Sequence, residues 1–349
     1  MARVTIKDIA QRAGVSKTAV SFAFNDPSQL SEETLRRILS IAAQLGYSPD
    51  PVARSMTTKR TGCIGLLVPQ PISIVVHNPF FAEFLAGVGK GCRRAGLSLM
   101  LVPPLKGSMR RAIVAAAVDG FLTLGLEPFR ATMMVLQQRG VSYVMVDSEP
   151  QEGIPYVNVD DRNGARQVMA HVLAQGHRCI GILGIRSGKR GRYREYVGTL
   201  HWRIEGFEDA LKDVGLSLHK RSVHLLECEC SFEGGREGLK KLWEAQHKPT
   251  AVVTMSDIIA IGALEAAREL GLRVPQDISI TGYDDIPPAR WVTPRLTTVH
   301  QPIREKGELA VELLVELIKG NTVETCHVLP TFLAERESVG PPSQDCFPA

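Results

Sequence analysis

Polar and apolar positions recur with a helical period over the first 45 residues of this chain and with a mixed strand-and-helix rhythm after residue 62. Ile6, Ile9, Ala10 and Ala13 return at 3.6-residue spacing and predict a short amphipathic helix. Thr5 stands where an N-cap belongs, with Asp8 three residues on, and Gly14 can take the left-handed conformation that ends a helix. Ser16 then caps a second helix, whose Ala19, Val20 and Ala23 face inward while Lys17, Thr18, Ser21 and Phe22 face out; Asn25-Asp26-Pro27 stops it. A third helix opens at Ser31 with Glu32 and Glu33 in its first turn, and carries Leu35, Ile38, Leu39, Ala42 and Leu45 on one side before Gly46. Two short helices joined by a tight Gly-containing turn predict a helix-turn-helix, the motif whose second helix enters the DNA major groove. Two surface helices of an ordinary cap would give the same bare pattern.

From Cys63 onward apolar runs alternate with longer amphipathic stretches. Strands are expected at 63–69, 97–103, 120–125 and 141–147, with helices at 80–96, 108–117 and 129–140 between them. The rhythm repeats with strands at 156–160, 179–185, 222–227, 251–255 and 278–285, and helices ending at Gly176, spanning about 203–214 and 234–246, and ending at Gly271. Such alternation predicts parallel sheets with helices on both faces, and the break near residue 156 predicts two similar lobes. After residue 290, a strand at 296–300, a helix at 303–319 and a strand at 327–335 read as segments crossing back between the lobes.

Between the two regions, Tyr47 to Met56 contains Asp50 as a cap and Pro51 at a first helical position, but too little apolar surface to hold a helix alone. Charge follows the same division. Residues 1–60 hold nine Lys and Arg against five acids, which accounts for the whole formal charge of +4. One basic end on an otherwise neutral chain fits contact with phosphate.

Length and composition bound the rest. The chain has 349 residues, 44% hydrophobic and 22% charged, enough for two or three globular domains. It shows neither an 18-residue apolar run nor a secretory segment, so a cytoplasmic protein without membrane contact is expected. Its seven cysteines are scattered, and Cys228-x-Cys230 has neither the spacing nor the His partners of a zinc site, so no metal is expected. Enzyme signatures fail too. The loop from Gly184 to Arg190 has three residues, not four, between its glycines, and Arg190 replaces the hydroxyl of a P-loop. No G-x-S-x-G or HExxH occurs, and neither enzymatic activity nor a cofactor is expected.

In α/β folds ligands bind outside the carboxyl ends of strands. Candidate ligand residues therefore stand at strand ends: Phe80 and Phe81 at the start of the first long helix, and Asp147, Asp257 and Asp284. An aromatic ring there stacks on a sugar face or a base unless it belongs to the core, and a carboxylate accepts from two hydroxyls of a polyol. Asp160 reads equally well as the cap of the following helix.

The runs Thr5-Ile6-Lys7-Asp8-Ile9-Ala10, Ala13-Gly14-Val15-Ser16 and Ala19-Val20-Ser21 resemble the headpiece of the LacI/GalR family of bacterial repressors, and Tyr47 to Met56 resembles that family's hinge helix. The resemblance continues to about residue 340. It implies an all-α helix-turn-helix headpiece at 1–48, a hinge helix and linker at 49–60, and an α/β periplasmic-binding-protein-like core of two doubly wound lobes. The first lobe is expected to hold 61–156 with about 291–321, the second 157–290 with about 322–340, followed by a tail at 341–349. DNA contacts would fall on Thr5, Ser16, Lys17, Thr18, Ser21, Phe22 and Asn25 of the headpiece and on Ala53, Arg54 and Met56 of the hinge. Lys17, Thr18 and Phe22 would be the main base readers, and Met56 sits where the family usually has an intercalating Leu. Phe22 departs from the polar or basic residue of many relatives; it suits a thymine methyl rather than guanine.

By position Arg203 matches the family's effector-binding Arg, which joins Phe80, Phe81, Asp147, Asp257 and Asp284 as an expected effector ligand. The resemblance implies a ligand-responsive repressor acting as a homodimer, or a tetramer, on a palindromic double-stranded DNA operator, with a sugar or sugar derivative in the interlobe cleft. A nucleobase-responsive regulator and a cytoplasmic solute-binding protein of the same fold are the alternatives. The basic loop 186–202 is longer than the family leads one to expect. It is either a solvated loop or a set of cations, with Arg190, Arg192 and Arg194, that selects a phosphorylated or acidic effector.

Overall fold

The computed structural model describes residues 4–48, 55, 58–125, 130–187 and 193–343. The chain divides into two compact units, Met1–Cys63 with Ala117–Asp119, and the remainder.

In the first unit three helices, α1 (Ile6–Ala13), α2 (Lys17–Asn25) and α3 (Glu32–Gln44), enclose a small core of Ile9, Ala10, Ala13, Val20, Ala23, Ile38 and Ala42. Thr5 caps α1 in a capping box with Asp8, as the spacing predicts: the Asp8 carboxylate accepts both the backbone N–H and the hydroxyl of Thr5, each at 2.8 Å. Gly14 does take the left-handed conformation, with φ 64°. Ser16 accepts from the Ala19 N–H at 3.0 Å, which fixes where α2 begins. Leu39, expected among the inward residues of α3, is 41% exposed, because the core is filled by Ile38 and Ala42 on the neighbouring stripe. Of the expected hinge, Asp50, Pro51, Ala53, Arg54 and Met56 lie outside the described residues.

The second unit holds two six-stranded sheets. One has β1 (Cys63–Leu67), β2 (Ser98–Val102), β3 (Gly120–Leu124), β4 (Ser142–Val146), β5 (Tyr156–Val159) and β11 (Cys326–Leu329), in the order β11-β5-β4-β3-β1-β2. The other has β6 (Ile180–Ile185), β7 (Val223–Cys228), β8 (Ala251–Thr254), β9 (Ser279–Asp284), β10 (Thr297–His300) and β12 (Phe332–Ala334), in the order β12-β10-β9-β8-β6-β7. Central strands β3, β8 and β9 are buried throughout, the result of helices covering both faces; β2 and β11 at the edges alternate exposed and half-buried residues. The sheets are not wholly parallel, since β12 pairs antiparallel with β10.

Helices α4 (Ile72–Val75), α5 (Pro79–Ala95), α6 (Met109–Ala115), α7 (Arg130–Arg139) and α12 (Ile303–Lys319) accompany the first sheet. The second is accompanied by α8 (Asp161–Ala174), α9 (Gly198–Asp213), α10 (Phe232–Trp243) and α11 (Asp257–Glu269). The one-turn α4 has no periodic signal in the sequence. Helix α9 begins at Gly198 rather than near 203, which puts Arg203 in its second turn instead of at its start.

Pairing register moves the expected lobe boundaries. Met145 pairs with Tyr156 and Val146 with Val157, so β5 stays with the first sheet and the crossing falls after Val159. Thr297 pairs with Thr281 in the second sheet, so 291–300 belongs there and the chain crosses back between His300 and Ile303. The single strand expected at 327–335 is two strands in different sheets: Pro330, which has no N–H for a ladder, separates them.

Helices α8 and α9 approach so closely that a Cβ on Gly206 would collide with the Arg162 carbonyl and the Ala165 side chain. Gly206→Val is expected to lower stability by about 1–3 kcal/mol through forced separation of these helices; a urea midpoint equal to wild type would count against this packing.

Candidate functional site

A cavity of about 320 Å³ lies where the carboxyl ends of the two sheets face each other. Residues following β1 (Pro69, Gln70), β3 (Gly125) and β4 (Asp147, Ser148, Glu149) line it from the first lobe; residues following β6, β7 and β8 (Ser187, Cys230, Ser256), with Asp284 at the end of β9, line it from the second. In each sheet the order reverses beside the first strand of its lobe, β1 or β6, and this switch leaves the crevice open. Its apolar wall comes from Phe80, Phe81, Leu124, Ile185 and Leu200, which suits a small, partly apolar molecule.

Asn78 builds the near edge. Its side chain accepts from the Phe80 N–H at 3.0 Å and so starts α5, and its amide approaches the Cys230 thiol at 3.6 Å from the other lobe. Pro79 follows at the first helical position, and the two rings thereby reach the cavity, Phe81 being buried and Phe80 half-buried.

Arg203 is the centre of the polar floor. It is 5% exposed, its Nε donates to Asp161 at 2.8 Å, one terminal nitrogen donates to the Met255 carbonyl, and the guanidinium lies 3.6 Å over the Tyr283 ring. Burial opposes its charge, yet Asp161, Tyr283 and Asp284 together hold it firmly protonated. Its other terminal nitrogen stands 3.8 Å from Asp284, beyond hydrogen-bond reach.

Asp284, in strained backbone at φ 126°, accepts from Ser256 at 2.9 Å and from the Gln301 amide at 2.7 Å. Burial pushes its carboxyl up to about 6, against the pull of Arg203. The adjacent Asp285 has the opposite fate: despite burial, His300, Arg290 and Arg336 all donate to it and hold it far below the usual carboxylate range. Two neighbouring carboxylates are thus set apart by the burial of one and by the three donors around the other.

Asp147, at φ 50°, reaches the cavity but is already paired, with Lys306 donating to both its oxygens at 2.6 and 2.8 Å. Asp257 does not line the cavity. It is fully buried behind it, accepting from the Thr298 hydroxyl at 2.5 Å and the Ile286 N–H at 2.9 Å. Burial and the nearby Asp284 raise its carboxyl well above normal. A residue at the first position of α11 looks like a strand-end ligand in sequence, but here it ties β9 and β10 to that helix. Gly282 makes the approach possible, since a Cβ there would overlap the Asp257 carboxylate. Asp160 caps α8, accepting from the Asn163 N–H at 3.1 Å.

Sequence reasoning missed Asp161, Ser256, Gln301 and Lys306. One signal was present for the last: Lys306 falls on the inward stripe of α12 with Ile303, Ala310 and Leu314, where a charged residue needs a buried partner. Of the basic loop, Arg190 and Arg192 lie outside the described residues and Arg194 is exposed. Tyr196 from the same segment is buried and donates to the Ile185 carbonyl at 2.5 Å, and the following Val197, Gly198, Thr199 and Leu200 line the cavity, so part of this loop packs as cavity wall rather than standing in solvent.

On the headpiece, Lys17, Thr18 and Asn25 are exposed on one side of α2, Ser21 is half-buried, and Phe22 is 37% exposed. Asn25 donates to Ser21 at 3.2 Å, and Thr5 and Ser16 are exposed at the starts of α1 and α2. An uncovered ring amid short polar side chains leaves a mixed apolar and hydrogen-bonding face.

Asp284 supplies a pH test. A carboxyl that holds its proton more tightly when folded loses stability as pH rises from about 4, its unfolded value, to its folded value near 6. Relative to wild type, Asp284→Asn should therefore gain melting temperature as pH rises from 4 to 7; an offset independent of pH would contradict this reading.

Comparison with known proteins agrees with both halves. Residues 5–50 match the family described as bacterial regulatory proteins, lacI family, and residues 169–339 match a periplasmic binding protein-like domain. The chain is 35% identical to the HTH-type transcriptional repressor PurR of Serratia proteamaculans, over 96% of each chain. It is 34% identical to the ribose operon repressor of Haemophilus influenzae, over 90% of this chain and 92% of that one. Among solved structures, the lac repressor dimer bound to operator and the anti-inducer ONPF superposes with a TM-score of 0.82 at 26% identity, over 97% of this chain and 100% of that one. With a helix-turn-helix, a two-lobed core and relatives of this identity over nearly the full length, the chain belongs to the lacI family of bacterial regulatory proteins and is a DNA-binding transcriptional regulator, not an enzyme.

Proposed function

We propose that this regulator is a repressor that binds a palindromic operator as a homodimer and responds to a small neutral polyhydroxy effector, a sugar or sugar derivative, held between the lobes. One observation carries the effector reading. The Arg203 terminal nitrogen and the Asp284 carboxylate stand 3.8 Å apart, a donor beside an acceptor that do not satisfy each other. A hydroxyl is both acceptor and donor, so it completes both at once. Phe80 offers an apolar face for the ring of such a molecule, with Phe81 behind. The relative from Haemophilus influenzae is named for ribose. Among the described residues the lining carries Asp147, held by Lys306, with Glu149 and Asp284 beside a single lining cation, Arg203; that balance weighs against the phosphorylated or acidic effector considered for the basic loop, whose Arg190 and Arg192 lie outside the described residues. Aromatic Phe80 also supports a nucleobase as second reading, because a base stacks on the same face.

On the DNA side, Lys17, Thr18 and Phe22 would read bases in the major groove. Thr5, Ser16, Ser21 and Asn25 would hold α2 against the backbone, and Ala53, Arg54 and Met56 would enter the minor groove. Lobe closure over the effector would alter the pairing of the two hinge segments, so effector and operator affinities would be linked reciprocally. Such a protein works in the cytoplasm, where its operator is.

Calorimetry with D-ribose, D-glucose, cellobiose and adenine separates the readings. Asp284→Asn should weaken a bound sugar by at least about tenfold, the range of a lost hydrogen bond to a charged group. Binding of adenine alone would favour the nucleobase. In gel shifts, affinity for the promoter of its own gene should fall steeply with salt, and Phe22→Ala should change site preference more than overall affinity. Equal affinity for random duplex would refute the repressor.

A further inference from the structure

Lys306 is fully buried, and all three of its ammonium protons are taken up: two by the Asp147 carboxylate and one by the Gln301 side-chain oxygen at 2.6 Å. An ammonium can only donate. Its presence therefore forces the oxygen of the Gln301 amide to face it and turns the amide nitrogen the other way, where it donates to Asp284. The resulting chain runs Asp147, Lys306, Gln301, Asp284. It starts beyond the end of β4 in the first lobe, passes through the crossover between β10 and α12, and ends on β9 in the second lobe. Both of its terminal carboxylates line the effector cavity, and Lys306 itself lies 5.4 Å from the Phe80 ring that forms the wall.

We propose that Lys306 is a positioning residue that sets the charge selectivity of the cavity: it neutralises Asp147 and orients Gln301 so that Asp284 faces the ligand as a hydrogen-bonded acceptor. With Asp147 held by Lys306, that carboxylate is not free to pair with a cationic ligand, and the carboxylate this lobe still presents is the exposed Glu149; deep in the cavity a neutral hydroxyl compound is favoured. The inference rests on the effector reading for the ligand, but the orientation of Gln301 does not depend on it.

Two measurements on the full chain test this. Lys306→Met strands a buried carboxylate, so the paired change Asp147→Leu with Lys306→Met serves as the variant that keeps the site packed, an apolar pair being tolerated where a lone charge is not. With 15N-labelled glutamine, the Gln301 side-chain amide is identified by its loss in Gln301→Leu. In wild type its protons should exchange slowly with solvent and its resonance should move as Asp284 titrates near pH 6. In the paired variant exchange should be at least about tenfold faster and the pH response reduced. An unchanged resonance and exchange rate would overturn the orienting role.

Calorimetry with D-glucose and D-glucosamine addresses selectivity: Lys306→Met should shift the preference toward the amino sugar by about tenfold, the scale of one close charge pair. An unshifted ratio would overturn the neutralising role. If neither these sugars nor ribose, cellobiose or adenine binds wild type, the effector reading fails, and the amide measurement alone decides the role of Lys306.

Discussion

A guanidinium removed from water must find its acceptors inside the protein, and at Arg203 that requirement draws together parts of the chain far apart in sequence. Its partners are Asp161 at the start of α8, the Met255 carbonyl after β8, the Tyr283 ring on β9 and Asp284 beside it. Asp161 follows the first crossover between the lobes directly. The charge on the cavity floor is thereby anchored beside the first connection between the lobes. Breaking such a cluster at one partner leaves a buried charge without compensation, which is costly, whereas the intact cluster adds little net stability. Its worth lies in defining one arrangement of groups at the cavity floor.

The second crossover is tied in the same manner. Gln301 lies within it and links Lys306 of one lobe to Asp284 of the other. Occupancy of the cavity and the geometry of two connections are thus part of one hydrogen-bonded network. A ligand that changes how Arg203 and Asp284 share their partners also changes the forces on the crossovers. That is a physical route by which a small molecule could bias the lobes, and it needs only the residues already in contact.

Much of the lining of the cavity was legible in the sequence because strand ends are legible. Apolar runs of five or six residues mark strands, and the doubly wound order brings their carboxyl ends to one crevice, so Phe80, Phe81, Asp147 and Asp284 could be named from position. Arg203 came from the family resemblance, and its place in the second turn of α9 was not foreseen. Asp257 shows the limit of the rule. It too follows a strand, but whether a carboxylate there faces the crevice or turns back to cap Ile286 and bind Thr298 depends on strands more than 20 residues further on. Periodicity also could not assign β5, β10 and β11 to their sheets, because membership is decided by which neighbour completes each ladder.

What the sequence by itself determined was local: the caps and turns of the headpiece, the outward face of α2 with Lys17, Thr18 and Phe22, the βα alternation and the concentration of positive charge in the first 60 residues. Those features follow from interactions between residues a few positions apart, which composition and spacing record directly. Tertiary structure alone decided the pairing of Asp147 with Lys306, the opposite fates of Asp284 and Asp285, and the removal of Asp257 from the cavity. The reason is electrostatic. A buried charge takes its character from the donors and acceptors around it, and here those partners come from segments up to 159 residues away along the chain.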